Sequence, residues 1–593
     1  MGERGRVRRR AASRLGSLKT RVCRVAPDVT AVERTFDYLV PDALADRVRV
    51  GAIVRVSLHG RRVRGWVLED DVVPEVADPD RLLPLLSVSS AGPPPDVVAL
   101  TSWIAFRWAG PRVAVLRSAS PPNNVTPSPQ PAPKTSLTGN NSAHVRRERV
   151  VRWPPLRDRR ALVEEMLASE GSSIVCVADA GRARALAATL ERAGRAVAVL
   201  HSDEPAAART DAWRRAALGN CVVVGGRNAA LAPVPDLAAA VVVDDADEAL
   251  QEERSPTWHA RDVLRERATR AGAPWTVVSP VPTVEAEAAV QFEIEAPAPD
   301  VEVSGWPRTA VIDRREEPPG ARLLTEPLAA ALRDADGLAV CILNRRGRFR
   351  LLACANCREL LRWDTPDERP QLCPSCGATQ LRNIRAGVTR IAEELSALVP
   401  GAVVVDVDAA TDEVPVANAN IVVGTESALH RPEIRRARPT VVAYLDLDQE
   451  LLAPRYRAAS QALWLVVRGA QLLAARSRDE TRLLLQTRMP EHEVVRAIAD
   501  GRPQVVIEGE RARREALGYP PFGALAELSG DESALQVACN ELKAGPVTVL
   551  GPNEGRALVR ASDPDGLAQA LANAVPGARA HGRLRVAVDP ARI

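Results

Sequence analysis

Four cysteines carry the most specific chemistry in this chain: Cys354 and Cys357, then Cys373 and Cys376, two Cys-x-x-Cys pairs separated by fifteen residues. Each pair holds two thiolates on one tight turn, and two such knuckles close a tetrahedron, so the spacing reads as a structural zinc site with one ion and no open coordination position. Two buried cysteine pairs, a disulfide pair or a rubredoxin-like iron site would use the same residues. Neither end reads as a signal peptide, so a reducing compartment is expected and disulfides are disfavoured. Cys23, Cys176, Cys221, Cys341 and Cys539 then read as core thiols.

A second feature is an absence: no lysine stands between Lys134 and Lys543. A nucleotide-driven motor needs a glycine-rich loop whose N–H groups cradle phosphates and a lysine that reaches the β- and γ-phosphates. No G-x-x-x-x-G-K occurs. The nearest imitation, Asp179-Ala180-Gly181-Arg182, has one glycine and no Ser or Thr for a magnesium ion, and reads as an ordinary strand-to-helix turn. Asp244-Asp245-Ala246-Asp247 follows an apolar strand. Three acids there without a basic partner would repel a nucleotide.

The elements that must position these residues follow from the whole chain. At 593 residues, 46% of them hydrophobic, it has material for about three to five domains. No apolar run approaches the roughly 20 residues of a membrane span, which points to the cytosol. Net charge is +4, too small to argue a nucleic-acid partner by itself. Its placement says more: Arg4, Arg6, Arg8, Arg9, Arg10, Arg14, Lys19 and Arg21 face a single acid, Glu3, and residues 1–21 read as a basic disordered arm able to neutralise DNA phosphates, or as a solvated tail.

Residues 22–70 alternate apolar and polar positions around Gly51 and Gly60, as in a small β domain. Val97, Leu100, Trp103, Ile104 and Trp108 recur at helical spacing. Residues 121–142, rich in Pro, Ser, Asn and Thr, read as a flexible linker. Beyond it, apolar strands at 173–178, 196–200, 220–225 and 239–243 alternate with amphipathic helices, and a second series at 337–344, 402–407, 421–423 and 440–445 has the cysteine knuckles in its first loop. This βαβ rhythm predicts two lobes with parallel sheets, followed by a C-terminal α+β piece from about Gly509.

Short runs spread along the chain carry a family resemblance. They are Thr35-Phe36-Asp37-Tyr38-Leu39-Val40-Pro41, Asp211-Ala212-Trp213-Arg214-Arg215, Leu231–Leu237, Gln251-Glu252-Glu253-Arg254, His259-Ala260-Arg261-Asp262, Asn344-Arg345-Arg346-Gly347, Cys373-Pro374-Ser375-Cys376-Gly377 and Leu517-Gly518-Tyr519-Pro520-Pro521-Phe522. In this order the chain resembles the PriA family of replication-restart proteins (primosomal protein N′), in the divergent form seen in actinobacteria. The resemblance implies RecA-like lobes and a division into an N-terminal 3′-end DNA-binding β domain (22–90), a reduced winged-helix-like segment (91–120), a linker (121–150), lobe 1 (151–300), lobe 2 (301–507) with the zinc module (354–376), and a C-terminal DNA-binding domain (508–593). It implies partners: forked and single-strand/double-strand junction DNA, primosome and replicative-helicase-loading proteins, and single-stranded-DNA-binding protein. It implies a cytoplasmic, nucleoid-associated location and no membrane partner.

The family's superfamily-2 motor is not implied with equal force. Its Asp-Glu-x-His motif is Asp244-Asp245-Ala246-Asp247 here, its Ser-Ala-Thr-Pro is Ser279-Pro280-Val281-Pro282, its Lys-Gly-His is replaced at Ala428-Leu429-His430-Arg431, and its Gly-Arg-Ala-Gly-Arg segment survives only as Val467-Arg468-Gly469-Ala470-Gln471. Asp244, Asp245 and Arg468 are then remnants of a nucleotide site, Arg468 without support. The expected protein is a DNA-binding restart scaffold without its own helicase activity. An active 3′–5′ helicase with an unconventional nucleotide site is the alternative, and a non-DNA pseudoenzyme a third. The family commonly binds two zinc ions through four cysteine pairs, of which only the outer two remain. Arg358, Arg362, Arg382 and Arg385 flank them and could reach DNA phosphates. In the family the Phe-Asp-Tyr segment forms a pocket for the terminal 3′ nucleotide; Phe36, Asp37 and Tyr38 match it, with Arg61, Arg62 and Arg64 on the following hairpin and Leu83 where the family has a lysine. Core aromatics of a β domain would use Phe36 and Tyr38 equally well.

Overall fold

The computed structural model describes residues 21–29, 34–75, 81–126, 148–317, 323–344, 350–354, 356–357, 359–363, 370–383, 388–407 and 414–593. Residues 1–20, Arg358 and Arg385 lie outside them.

The N-terminal sheet is five-stranded and antiparallel, in the order Phe36–Leu39, Val22–Pro27, Arg61–Asp70, Ile53–Leu58, Ser87–Ser90. Alternation sends Cys23, Val25, Tyr38, Val54, Val56 and Val67 to one core and Trp66, Ile53 and Leu68 to another, under the helices Pro95–Arg107 and Arg112–Ala119. Arg21, expected in the basic arm, belongs to this fold instead. It pairs with both oxygens of Asp70 and donates to the carbonyls of Ala45 (2.7 Å) and Val48 (2.8 Å), satisfying the ends of a turn.

Lobe 1 is built on a seven-stranded parallel sheet, in the order Ile294–Glu295, Glu148–Arg152, Trp275–Ser279, Leu237–Val243, Ser172–Val177, Val222–Gly225, Val197–Leu200. Its central strands are buried along their whole length, as a sheet covered by helices on both faces requires. The strand Glu148–Arg152 begins inside the segment expected to be linker. Lobe 2 has a six-stranded parallel sheet: Arg308–Asp313, Arg482–Thr487, Val441–Tyr444, Ala339–Ile342, Ile421–Gly424, Val404–Val407. A small antiparallel sheet, Leu360–Trp363, Arg350–Cys354, Leu381–Asn383, carries the cysteines after the strand Ala339–Ile342.

The C-terminal sheet is antiparallel, in the order Thr548–Asn553, Arg556–Ala561, Ala524–Gly530, Leu584–Val588, and is packed by the helices Glu532–Lys543 and Pro564–Arg579. Its core is continuous with that of lobe 1 and with the helix Pro95–Arg107. Trp258, Trp275 and Trp306 are fully buried, and truncating any of them to alanine would cost about 3–5 kcal/mol. No helix among the described residues is long and apolar enough to cross a membrane.

Candidate functional sites: a cysteine knuckle, an ion-paired cleft and the N-terminal sheet

The four cysteines come together. Cys354 Sγ lies 3.4 Å from Cys376 Sγ, Cys357 Sγ lies 3.5 Å from Cys373 Sγ, and all four sulfurs fall within 4.8 Å of one another. A tetrahedron with Zn–S bonds of about 2.3 Å needs S···S separations of about 3.8 Å, so the donors fit zinc. Gly377, at φ +70°, makes the turn after Cys376, and its N–H donates to the Cys373 carbonyl (2.8 Å). The Ala378 N–H and neighbouring thiols draw the Cys376 thiol down to about 6, which favours the thiolate that a metal needs. Cys354 and Cys373 are buried while Cys357 and Cys376 face solvent. Arg362 and Arg382 sit on the module's strands, opposite Leu351 and Ala353.

The cleft between the lobes is the second cluster. Asp244, at the end of the strand Leu237–Val243, holds a left-handed backbone (φ +59°) and is almost fully buried. Arg159 donates to its Oδ1 (2.5 Å) and Arg182 to its Oδ2 (3.1 Å). From lobe 2, Gln471 donates to both oxygens (3.2 Å) and accepts from Arg182. Asp179 caps the helix Ala180–Arg192 by accepting from the Arg182 N–H (2.7 Å), and Arg435 of lobe 2 grips it at 2.8 and 2.5 Å. Burial alone would raise the Asp179 carboxyl, but Arg435 carries it down to about 2. Arg468 pairs with Asp247 across the cleft (2.6 Å) and with Glu426 (2.8 Å), and donates to His430 Nε2 (2.7 Å). Burial, then Arg468, pulls His430 down to about 4. Gly469 brings the helix Ala458–Leu472 against the sheet, since a Cβ there would run into the Tyr444 hydroxyl.

Two expectations are therefore corrected. The acids do not lack basic partners: Asp244 has Arg159 and Arg182, Asp247 has Arg468, and Asp245 faces Arg261 at 3.6 Å and accepts from Thr283. Arg468 is not unsupported but held by three groups. Arg159 stands just before the helix Arg160–Glu165; Arg435 and Gln471 lie hundreds of residues from their partners, and no local pattern marks them. Burial pushes Asp245 up to about 6 despite Arg261. The arrangement does not fit a triphosphate: its guanidinium donors are spent on carboxylates, and among the described residues no lysine enters it.

A third site spans lobe 1, lobe 2 and the C-terminal segment, around a cavity of about 370 Å³ lined by Asp245, Arg261, Glu285, Arg457, Arg514 and Asp589 among others. Glu285 of lobe 1 accepts from Arg457 of lobe 2 (2.6 Å) and from Arg514 of the helix Gln504–Leu517 (3.0 Å). Burial opposes its charge, but the two arginines hold it far below the usual carboxylate range.

On the N-terminal sheet, Asp37 is buried and paired across the strands with Arg24 (3.0 Å), and it accepts from the Glu75 N–H (2.9 Å). Tyr38 is in the core with its hydroxyl donating to the Ser57 carbonyl (3.0 Å), and Phe36 packs half-buried against that core. The segment carrying Leu83 docks on this edge strand through the Leu39 N–H (3.0 Å), leaving the Leu83 side chain about half exposed. Arg61 and Arg62 are exposed at the hairpin, Arg62 donating to Ser87 Oγ (3.2 Å). Arg64 stacks 4.8 Å over Trp66 and faces Asp28. The structure does not bring these arginines to Asp37: Arg24 aligns with Glu69, seven residues further along the strand than Arg62, about 24 Å at strand rise.

Comparisons with known proteins agree with this layout. Residues 24–121 match the model of the PriA 3′DNA-binding domain and residues 515–591 that of the primosomal protein N C-terminal domain. The chain is 29% identical to the probable replication restart protein PriA of Mycobacterium tuberculosis, with 85% of each chain covered. Along most of its length the chain is similar to the PriA family. It is 28% identical to the Mycobacterium leprae relative, over 95% of this chain and 99% of that one, and 25% identical to PriA of Bacillus subtilis, over 66% and 55%. Among solved structures it is similar to RecG bound to a three-way DNA junction (11% identity, TM-score 0.35, 62% of this chain and 47% of that one) and to a DEAD box protein from Methanococcus jannaschii (11%, TM-score 0.31, 60% and 86%).

Proposed function

We propose that this PriA-like protein acts in replication restart as a DNA-binding scaffold that engages forked DNA through its N- and C-terminal domains, without hydrolysing ATP. The observation that carries the proposal is that both terminal domains match their family models, the N-terminal one a 3′DNA-binding domain, while the cleft between the lobes has its cations committed to carboxylates. Phosphoryl transfer depends on preorganised cations and oriented water around the γ-phosphate. Arg159, Arg182, Arg435 and Arg468 each already face an acid, and Asp245 is shorter than the glutamate that would orient water. Asp37, with Phe36 beside it, is the acceptor proposed for a 3′ sugar hydroxyl; Arg61, Arg62 and Arg64 are proposed as phosphate contacts at the far end of the sheet. The cysteine knuckle is proposed to hold one zinc ion that folds the module on lobe 2. Primosome and helicase-loading proteins, and single-stranded-DNA-binding protein, are the proposed protein partners.

The test is a gel-shift titration with forks bearing a free or a blocked 3′-hydroxyl, run beside a DNA-stimulated ATPase assay. Fork binding that is independent of ATP and weakens steeply with salt is expected, as counterion release requires, with turnover at background. ATP turnover abolished by Asp244→Ala would overturn the reading.

A further inference from the structure

In a two-lobed motor the nucleotide sits between the lobes and closes them, and a ligand moves such an equilibrium only by its differential affinity for the open and closed arrangements. Here side chains already make those bridges. Arg435 reaches out of lobe 2 to clamp Asp179 at the start of the lobe 1 helix Ala180–Arg192 with two bonds. A Cβ on Gly181 would meet that guanidinium at 2.6 Å, so the one glycine in this turn makes room for an arginine rather than a phosphate. Gln471 reaches Asp244 and Arg182 from the same side, and Arg468 crosses to Asp247. Three separate bridges thus join the lobes at the positions where a nucleotide would be read.

We infer that these bridges lock the two lobes in place of a nucleotide, so that the degenerate motor serves as a fixed strut setting the spacing of the N- and C-terminal DNA-binding domains. The inference rests on the reading of the cleft as non-catalytic and adds what the lobes do instead. Bidentate arginine–carboxylate pairs fix orientation as well as distance, and Asp179 and Asp244 are too buried for solvent to compete freely. The helix Pro95–Arg107 and the C-terminal helix Pro564–Arg579 pack into the core of lobe 1, so a rigid lobe pair holds both terminal domains in register.

The experiment measures the distance between spin-labelled unnatural residues at Ala193 of lobe 1 and Ala397 of lobe 2, both exposed, by double electron–electron resonance on the full chain. Samples are free, fork-bound, and each of these with magnesium and a non-hydrolysable ATP analogue. One narrow distance, the same in all four, is expected. Gly181→Ala and Arg435→Glu should each broaden it, and the exchanged pair Asp179→Arg with Arg435→Asp should restore it. A nucleotide-dependent shift in the unaltered protein overturns the strut, as does a distribution that stays narrow in both lock-breaking variants. ATPase assays on the same samples separate the two readings: turnover at constant distance overturns the non-catalytic reading alone, whereas a distance shift without turnover overturns the strut alone.

Discussion

Single carboxylates decide much of this molecule's behaviour, and their neighbours set the sign. Asp37 is the acceptor for Arg24 and for the Glu75 N–H. Asp37→Ala unpairs the Glu75 N–H and leaves Arg24 only its ion pairs with Glu75 and Glu69, so a stability loss of about 1 kcal/mol is expected, read by thermal melting, together with a reduced preference for a free 3′-hydroxyl end. Glu287 sits at the seam between lobe 1 and the helix Gln504–Leu517, where burial, then the charge of Asp245, pushes its carboxyl up to about 8, with Arg511 and Arg152 opposing and Glu508 adding to the rise. The folded state therefore keeps this proton between about pH 4.5 and 8 while the unfolded chain has lost it. By linkage the contribution falls as pH rises through that window, and above pH 8 ionising Glu287 costs a few kcal/mol. Glu287→Gln should flatten the slope and make the protein more stable than the parent at pH 8, measured by denaturant titrations at pH 5 and pH 8. The four cysteines were legible in the sequence because their ligand geometry is local. The clamp of Arg435 on Asp179 was not, because 256 residues separate its partners.

Elements were legible where burial wrote a continuous apolar run. The strands Val222–Gly225 and Leu237–Val243 lie where valine and alanine runs put them, since a parallel sheet hides both faces. Residues 148–150 of the strand Glu148–Arg152, which is second from the sheet's edge, read as linker because three of the strand's five residues are charged. Their partners are Arg265 for Glu148, Glu295 for Arg149 and Glu302 for Arg152, all from distant elements. The helix Arg112–Ala119 left no clear period in the sequence, because its buried residues Val113, Val115, Leu116 and Ala119 are few and small. Among the described residues of the cysteine module, Leu361 and Leu381 cluster apart from the lobe 2 cores, so metal coordination is expected to supply energy that packing does not. One zinc per chain is expected by elemental analysis, and none in Cys373→Ala. The main melting transition should be nearly unchanged in that variant, because the module's described apolar residues, Leu361 and Leu381, lie outside the lobe cores.

At the scale of the whole molecule, the chain's bodies meet at one carboxylate. Glu285 of lobe 1 receives Arg457 from lobe 2 and Arg514 from the helix leading into the C-terminal domain. Tyr456 and Tyr519 stack at 5.0 Å across the same seam, and Gln461 of lobe 2 bonds both Glu248 of lobe 1 and the Ala591 carbonyl of the C-terminal tail. These contacts predict that lobe 1, lobe 2 and the C-terminal domain unfold as a unit, since each loses buried partners when another leaves. Glu285→Gln keeps the shape but leaves two buried guanidiniums facing a neutral amide, one of which, Arg514, retains Glu510. Removing one partner from a buried ion pair costs about 3–5 kcal/mol. The expected outcome in calorimetry is that the single transition of the parent moves down and splits in two, the earlier one belonging to the bodies released from lobe 1. Glu426→Gln should not split the transition, because Arg468 and Glu426 lie within lobe 2 and Arg468 keeps Asp247 across the cleft. A Glu285→Gln protein that still melts in one transition at the parent temperature would remove Glu285 as the joint and leave the seam to its aromatic and aliphatic contacts.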